Sequence, residues 1–325
     1  MIKKTSENLI KIIKILNNKD YHDGTTLGKE LNISRAAVWK IIKKLQAFGV
    51  DIKSVKGLGY ILKDDLTLLN EDIIKSKFDD KLELEIFEQI DSTNDYLKQF
   101  KGATKPRVCL AEHQTLGKGR FNRKWHSPFG KNIYFSCLYP FNKDISELAG
   151  LSLVVSLVII KTLSELDISD DLKVKWSNDI IHKGSKISGN LIEIQAEANT
   201  SCSAIIGIGL NVNMLHDDDL ISQEWTSVYN ILGRTFDRNI IVQTLIKNLF
   251  TYMDAFNEKG FPFFIEEWKR YDLLKGNEVS LSFIGKAIKG ISLGVSDKGY
   301  LILKLDDGEV KHFSSGEVSK AIPPS

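Results

Sequence analysis

Glu112-His-Gln-Thr-Leu-Gly-Lys-Gly-Arg-Phe-Asn-Arg-Lys-Trp-His-Ser-Pro-Phe-Gly-Lys-Asn-Ile-Tyr134 sets two glycines, Gly117 and Gly119, among four cations, Lys118, Arg120, Arg123 and Lys124. Glycines let a backbone approach a ligand closely and take positive φ. Interleaved cations suit an anion, phosphate or carboxylate. GxxxxGK[ST] cannot be placed on the stretch, so it is not a P-loop. A solvated basic surface loop is the plainer reading. Against it, the run passes into Trp125 and then into Ile133-Tyr-Phe-Ser-Cys-Leu138, a β-rich segment, so the loop hangs from a sheet, where binding residues concentrate.

Outward from the loop, the body alternates strand-like and helix-like segments, as an α/β or α+β domain does. Leu82-Glu-Leu-Glu-Ile-Phe87 alternates as a strand, and Asp91-Ser-Thr-Asn94 opens a helix over Asp95–Phe100. Capping is the ordinary role of such a cluster, although Ser92, Thr93 and Asn94 also suit a small neutral polar ligand at the helix's positive end. An apolar run from Leu151 to Ile160, interrupted by Ser152 and Ser156, is too short to span a bilayer and reads as a buried helix near 148–166. In Leu172-Lys-Val-Lys-Trp-Ser-Asn-Asp179, alternation puts Lys175 on one face with Lys173. An inward lysine there needs an anion, whereas an edge strand would leave both in solvent. Lys186-Ile-Ser-Gly-Asn-Leu-Ile-Glu193 and Ala204-Ile-Ile-Gly-Ile-Gly-Leu-Asn-Val-Asn213 are further strands; the second fails GxGxxG at Val212, so no dinucleotide fold is supported. Residues 237–271 read as amphipathic helices, with Phe250, Tyr252, Phe256, Phe264 and Trp268 as core. From Glu278 to Phe313, four short strands punctuated by glycine form a small β-barrel of SH3 type.

The 325 residues suffice for two or three domains. Charge is unevenly spread: residues 1–65 carry 13 Lys and Arg against 7 Asp and Glu, the remainder 31 against 35. A basic module on a slightly acidic body points to nucleic acid as partner. Leu9, Ile10, Ile12, Ile13 and Leu16 recur at helical spacing; a short helix follows over Thr25–Leu31, a turn at Asn32-Ile33, and a longer helix over Ser34–Leu45 with Ser34 as N-cap. Val50–Val55 and Tyr60–Leu62 flank Lys56-Gly-Leu-Gly59 as a hairpin wing. In a DNA-binding reading, Ser34, Arg35, Trp39 and Lys40 face the major groove, Lys43 and Lys44 lie nearer the phosphates, and Lys53 and Lys56 sit on the wing. The alternative is a three-helix bundle with a decorative hairpin. Cys109, Cys137 and Cys202 are odd in number and fit no zinc or CxxC spacing, as free thiols of a reducing cytosol would. No signal peptide is evident, and a cytoplasmic protein with no membrane partner is expected.

Glu112-His-Gln114, Gly117-Lys-Gly-Arg120, Arg123-Lys-Trp125 and Ser127-Pro-Phe-Gly130 resemble the biotinyl-adenylate loop of biotin–protein ligases. The family usually carries arginine at Lys118, and arginine then glycine at Phe121 and Asn122. Ser92-Thr-Asn94, Lys175-Trp-Ser-Asn-Asp179, with Ser177 in a proline's place, the Lys186–Glu193 strand, with Asn190 in an aliphatic residue's place, Gly207–Asn213 and Phe313–Ser319 follow the same family in order. The N-terminal region resembles the winged helix of its regulatory members. The resemblance implies a bifunctional biotin–protein ligase and biotin-responsive repressor, with a winged helix-turn-helix over 1–63, a mixed α/β ligase domain over 64–273 and an SH3-like barrel over 274–325. It implies ATP and Mg²⁺ as cofactors, biotin as substrate, no tightly bound metal, a biotin carboxyl carrier domain and operator DNA as partners, and a homodimer in the adenylate-bound state. Biotin would meet Ser92, Thr93, Asn94, Gln114, Gly117, Lys118, Gly119, Trp125, Lys175, Gly189 and Leu191. The adenylate would meet Arg120, Arg123, Trp125, Asn178 and Asn211. Lys175 and Arg120 would act on the reacting groups, with Asp179 as a Mg²⁺ neighbour or an ordinary turn residue. A non-enzymatic winged-helix sensor of a small acid and a lipoate-type ligase are the alternatives.

Overall fold

The computed structural model describes residues 3–4, 6–78, 82–168, 170–196, 202–215, 221–283 and 286–320. In chain order, a short strand β1 (Lys3–Lys4) precedes helices α1 (Glu7–Leu16), α2 (Gly24–Glu30) and α3 (Arg35–Ala47) and the wing strands β2 (Ile52–Val55) and β3 (Gly59–Leu62). Each helix start has a local cause. Asp23 accepts from the Thr25 and Thr26 amides, and Ser34 accepts from Ala37 N at 3.1 Å, as expected of that serine. At Gly28 the α2–α3 turn comes so close that an added Cβ would lie 2.7 Å from Ile33 O. Leu9, Ile12, Ile13 and Leu16 of α1, Leu27 of α2, and Val38, Ile42 and Leu45 of α3 close the small core.

This core continues into the body. Leu66, Leu68 and Phe129 belong to the same cluster, and the Phe48 and Phe129 rings stack at 4.5 Å. β1 crosses over to pair with the central sheet at β4, a strand the sequence did not announce.

The body runs α4 (Glu71–Lys75), β4 (Glu83–Gln89), α5 (Thr93–Leu97), β5 (Arg107–Ala111), β6 (Ile133–Phe141), α6 (Leu151–Ser164), β7 (Leu172–Lys175), β8 (Asp179–His182), β9 (Ser185–Ala196), β10 (Cys202–Leu210), α7 (Val228–Leu232), α8 (Arg238–Lys259) and α9 (Ile265–Lys269). Its sheet has the order β1-β4-β5-β6-β10-β9-β8-β7, with only β4 and β5 parallel. α6 lies on β8 and β9 and against α8. Ile145–Ser164 is long and apolar enough to cross a membrane, unlike the apolar run Leu151–Ile160 taken alone, yet 61% of its most apolar window is buried inside the protein. Leu151, Leu153–Ile160, Thr162 and Leu163 are all buried, which makes α6 a core helix. α5 is one turn, Thr93–Leu97, not the expected Asp95–Phe100, because Ser92 caps it through Asp95 N.

The C-terminal sheet, β11 (Glu278–Phe283), β12 (Lys286–Val295), β13 (Leu301–Lys304), β14 (Val310–Phe313) and β15 (Glu317–Lys320), has the order β14-β13-β12-β11-β15. The last strand adds to the four expected. Trp176 anchors this module to the body by donating from Nε1 to Gly299 O at 3.0 Å.

Candidate active site

A cavity of about 150 Å³ opens between the central sheet, the 114–125 loop and the start of β15. Its floor is β6, β9 and β10, where Gly189, Gly207 and Gly209 leave room for neighbours. A Cβ at Gly207 would lie 2.4 Å from Asn94 Oδ1, and one at Gly209 would lie 2.3 Å from Trp125 Cε2. The glycines thus seat the asparagine and the indole directly on the sheet.

At one end Ser92, Thr93 and Asn94 are buried, Ser92 as cap of α5. Gln114 Oε1 accepts from Thr93 N at 2.9 Å and from Thr93 Oγ1 at 3.1 Å. Ser136 Oγ lies 2.7 Å from Thr93 Oγ1 and 2.6 Å from Asn94 Oδ1, and Asn94 Nδ2 donates to Glu193 at 2.8 Å. This end is neutral, with donors and acceptors side by side. Capping and pocket lining are combined in one segment.

The other end is cationic. Lys175, half-buried on β7, lines the cavity and has no ion-pair partner among the described residues. Arg120 donates from Nη1 to Ser177 Oγ at 2.6 Å and to Asn178 Oδ1 at 3.2 Å, and from Nη2 to Gly316 O at 3.1 Å. Burial pulls its guanidinium below its ordinary pKa, with Asp179 and Glu317 opposing. Lys186, which sequence reasoning did not single out, also lines the cavity, 2.7 Å from Asp179 Oδ1 and 5.4 Å from the Trp125 ring. Its signal was present as the first residue of the Lys186–Glu193 strand. Gly316, Glu317 and Val318 were missed as well, because a terminal strand reaching back to a loop 196 residues earlier leaves no local pattern.

The loop is tied at several points. Lys118 pairs with Asp95 at 2.5 Å, and Arg123 pairs with Glu317. Burial alone would raise the Asp95 pKa, but Lys118 and Lys98 outweigh it and hold the carboxyl below its ordinary value. Both loop ends meet a fully buried ion pair, Glu112–Arg238, at 2.6 Å. Glu112 also accepts from Leu69 N, while Arg238 donates to Asn132 O and Thr67 O.

Gln114, Lys118, Gly119, Arg123, Trp125, Asn178, Asp179, Gly189 and Leu191 also line the cavity. Three further residues lie outside this lining. Asn211 does not reach it: its amide donates to Thr226 O at 3.0 Å and its Oδ1 lies 3.4 Å from Asn132 Nδ2, which closes a loop behind the sheet. Gly117 lies outside the lining too, packed where a Cβ would meet Trp125 O at 2.6 Å, so it serves loop closure. Lys44, half-buried on α3, pairs with the buried Glu88 of β4. Ser34, Arg35, Trp39, Lys40 and Lys43 are exposed on α3, Trp39 at 50%, and Lys53 and Lys56 are exposed on the wing, with Ser34 also capping its helix.

Two buried polar atoms on the lining lack a partner: Trp125 Nε1, a donor, and Asn190 Oδ1, an acceptor. A polar ligand would satisfy both. For a divalent ion the lining carboxylates near the cationic end are Asp179 and Glu317, each ion-paired, and no cluster of three or more His, Cys, Asp or Glu occurs among the described residues. That donor set fits Mg²⁺ carried on substrate phosphates rather than held in a protein cage.

A neutral polar end, a cationic end under a tied loop and a helix-turn-helix packed on the same body define a class: a nucleotide-using ligase of small acids fused to a DNA-binding regulator. Comparison with known proteins narrows this. Residues 86–211 match the biotin/lipoate A/B protein ligase family, residues 8–61 an HTH domain and residues 276–321 the biotin protein ligase C-terminal domain. The bifunctional ligase/repressor BirA of Salmonella typhimurium is 36% identical over 95% of this chain and 96% of its own length; that of Bacillus subtilis is 28% identical over 95% and 97%. The biotin protein ligase of Aquifex aeolicus, solved in complex with biotin and ATP, superposes with a TM-score of 0.63 at 32% identity, covering 73% of this chain and 97% of that one. The chain belongs to the bifunctional ligase/repressor family of biotin–protein ligases.

Proposed function

We propose that the chain joins biotin to ATP in this cavity, passes the biotinyl group to a lysine of a biotin carboxyl carrier domain, and represses transcription through its winged helix. Biotin lies with its neutral ring against Ser92, Thr93, Asn94 and Gln114 and its carboxylate toward Lys175 and Lys186. The carboxylate oxygen attacks the ATP α-phosphorus and pyrophosphate leaves. Arg120, Lys175 and Lys186 face the charge that accumulates on the phosphoryl oxygens, which is where preorganised donors lower a barrier most. Asp179 would neighbour the Mg²⁺ that ATP brings, and Trp125 and Asn178 would meet the nucleotide. The carrier lysine's amine then attacks the carbonyl of the mixed anhydride, and AMP leaves. The loop over 117–125 keeps water from the anhydride between the two steps.

The observation that carries this reading is the placement of Arg120, held on Ser177, Asn178 and Gly316 across the cavity from the Ser-Thr-Asn wall. The division at residues 63 and 273, a cytoplasmic location and a dimer that forms with the adenylate are parts of the same proposal. Pyrophosphate release with ATP, Mg²⁺ and either biotin or lipoate tests it. Release with biotin alone is expected; release with lipoate alone would make the chain a lipoate-type ligase, and release with neither a sensor.

A further inference from the structure

Arg120 is held by groups from two distant parts of the chain, and the shortest contact is to a side chain with no role in the reaction as written. Nη1 donates to Ser177 Oγ at 2.6 Å, against 3.2 Å to Asn178 Oδ1 and 3.1 Å from Nη2 to Gly316 O. The Phe121 ring lies under the guanidinium at 4.8 Å. A guanidinium is a planar fork, so contacts on two edges and one face fix its plane. Ser177 is itself fixed from beneath. Ser152 Oγ donates to Ser177 O at 2.6 Å, Ser152 O accepts from Asn190 Nδ2 at 3.2 Å, and Ser156 Oγ donates to Ser152 O at 3.0 Å. The residue that carries the hydroxyl is thereby tied through its carbonyl to α6, a helix buried along most of its length, while Arg120 sits on the loop.

We propose that Ser177 is a positioning residue: its hydroxyl sets the plane of the Arg120 guanidinium and ties the 117–125 loop to the rigid α6 layer. This rests on the reading that Arg120 bears phosphate charge. Ser177 touches neither Ser92, Thr93, Asn94 nor Gln114, whose hydrogen bonds run to one another, Ser127, Ser136, Glu193 and Asp95. Its effect therefore falls on the nucleotide side alone.

The test compares Ser177→Ala, which deletes the hydroxyl, with Ser177→Thr, which keeps one, in the full chain. Steady-state pyrophosphate release gives KM for ATP and for biotin separately. Limited trypsin digestion, followed by mass spectrometry, reads cleavage after Lys118, Arg120, Arg123 and Lys124. The expected result for Ser177→Ala is a rise of about tenfold in KM for ATP, the equivalent of ~1.4 kcal/mol, an unchanged KM for biotin and faster cleavage inside 118–124. Ser177→Thr should restore both readouts toward the parent, which a general loss of folding would not allow. An Ala variant with the parent's ATP kinetics and cleavage rate overturns the proposal, as does an equal rise in both KM values. If the parent chain releases no pyrophosphate, the functional reading fails, and the cleavage rates alone decide whether Ser177 ties down the loop.

Discussion

Arg120 and Asn122 sit two residues apart and answer different questions. Arg120→Gly removes a half-buried charged donor to Ser177, Asn178 and Gly316. A charge-assisted hydrogen bond contributes about 1.5–3 kcal/mol, so the adenylate should escape roughly 10- to 100-fold faster and label bystander lysines; mass spectrometry of a mixed protein pool reads this, and unchanged selectivity would remove Arg120 from the lid. Asn122 is at φ 59°, where glycine is unstrained and asparagine is the better tolerated of the remaining residues. Asn122→Gly should keep at least the parent's thermal midpoint and ligase rate; Asn122→Val should lose both. At this scale the sequence was legible wherever one residue's chemistry settles its place. Ser34 and Ser92 cap helices as their short hydroxyls dictate, and the glycines of β10 mark close approach to Asn94 and Trp125. Asn211 was less legible, because its amide has two equally good partners, a ligand or Thr226 O, and in the fold it donates to Thr226 O.

The recognition helix divides along its own axis. Arg35, Trp39, Lys40 and Lys43 look outward, whereas Lys44 pairs with Glu88, whose carboxylate is buried and keeps a second oxygen unpartnered. Lys40→Ala and Lys43→Ala should each lower the slope of log affinity for DNA against log salt by about 1. Lys44→Met should leave that slope alone and instead destabilise the fold by ~1–3 kcal/mol, because a buried carboxylate loses its partner; urea titration of both variants separates the effects. α2 carries a pH dependence. Hydrogen bonds from the Thr26 hydroxyl and the Thr25 and Thr26 amides hold the Asp23 pKa at about 2, below its ordinary 3.8. A depressed carboxylate contributes stability that is fully present above the unfolded value and lost as pH falls toward the folded one. Protection of the Thr26 amide from exchange should therefore fall between about pH 4 and 2, and Asp23→Asn, which still caps but does not titrate, should flatten the curve. Helices and wing were legible because their periodicity is local. β1 and β15 were not, since two lysines at one end and Glu-Val-Ser-Lys at the other become strands only when a distant sheet edge pairs with them.

Across the whole molecule, DNA reader and ligase share one continuous set of contacts. The Lys44–Glu88 pair and β1 on β4 join the winged helix to the strand that ends beside Ser92, and the Phe48–Phe129 stack joins it to the segment that leads from the loop into β6. A single winged helix presents few phosphate contacts, and the proposed two-fold dimer would supply a second half-site. Adenylate that orders the loop should favour the dimer and tighten DNA binding, and linkage then demands that DNA tighten adenylate by the same factor, typically ~1–3 kcal/mol. Fluorescence anisotropy on DNA upstream of the chain's own gene, with and without biotin plus ATP, reads the coupling; equal affinities would leave a ligase with an idle DNA-binding module. The order of the modules was legible from motif order alone, whereas the contacts that join them were not, because Phe48, Glu88 and Phe129 carry no pattern until the fold brings them together. The central claim is the transfer itself. A purified biotin carboxyl carrier domain incubated with this chain, biotin, ATP and Mg²⁺ should gain the mass of one biotinyl group, on one lysine, by intact-protein and peptide mass spectrometry. A folded chain that leaves the carrier's mass unchanged would contradict the account.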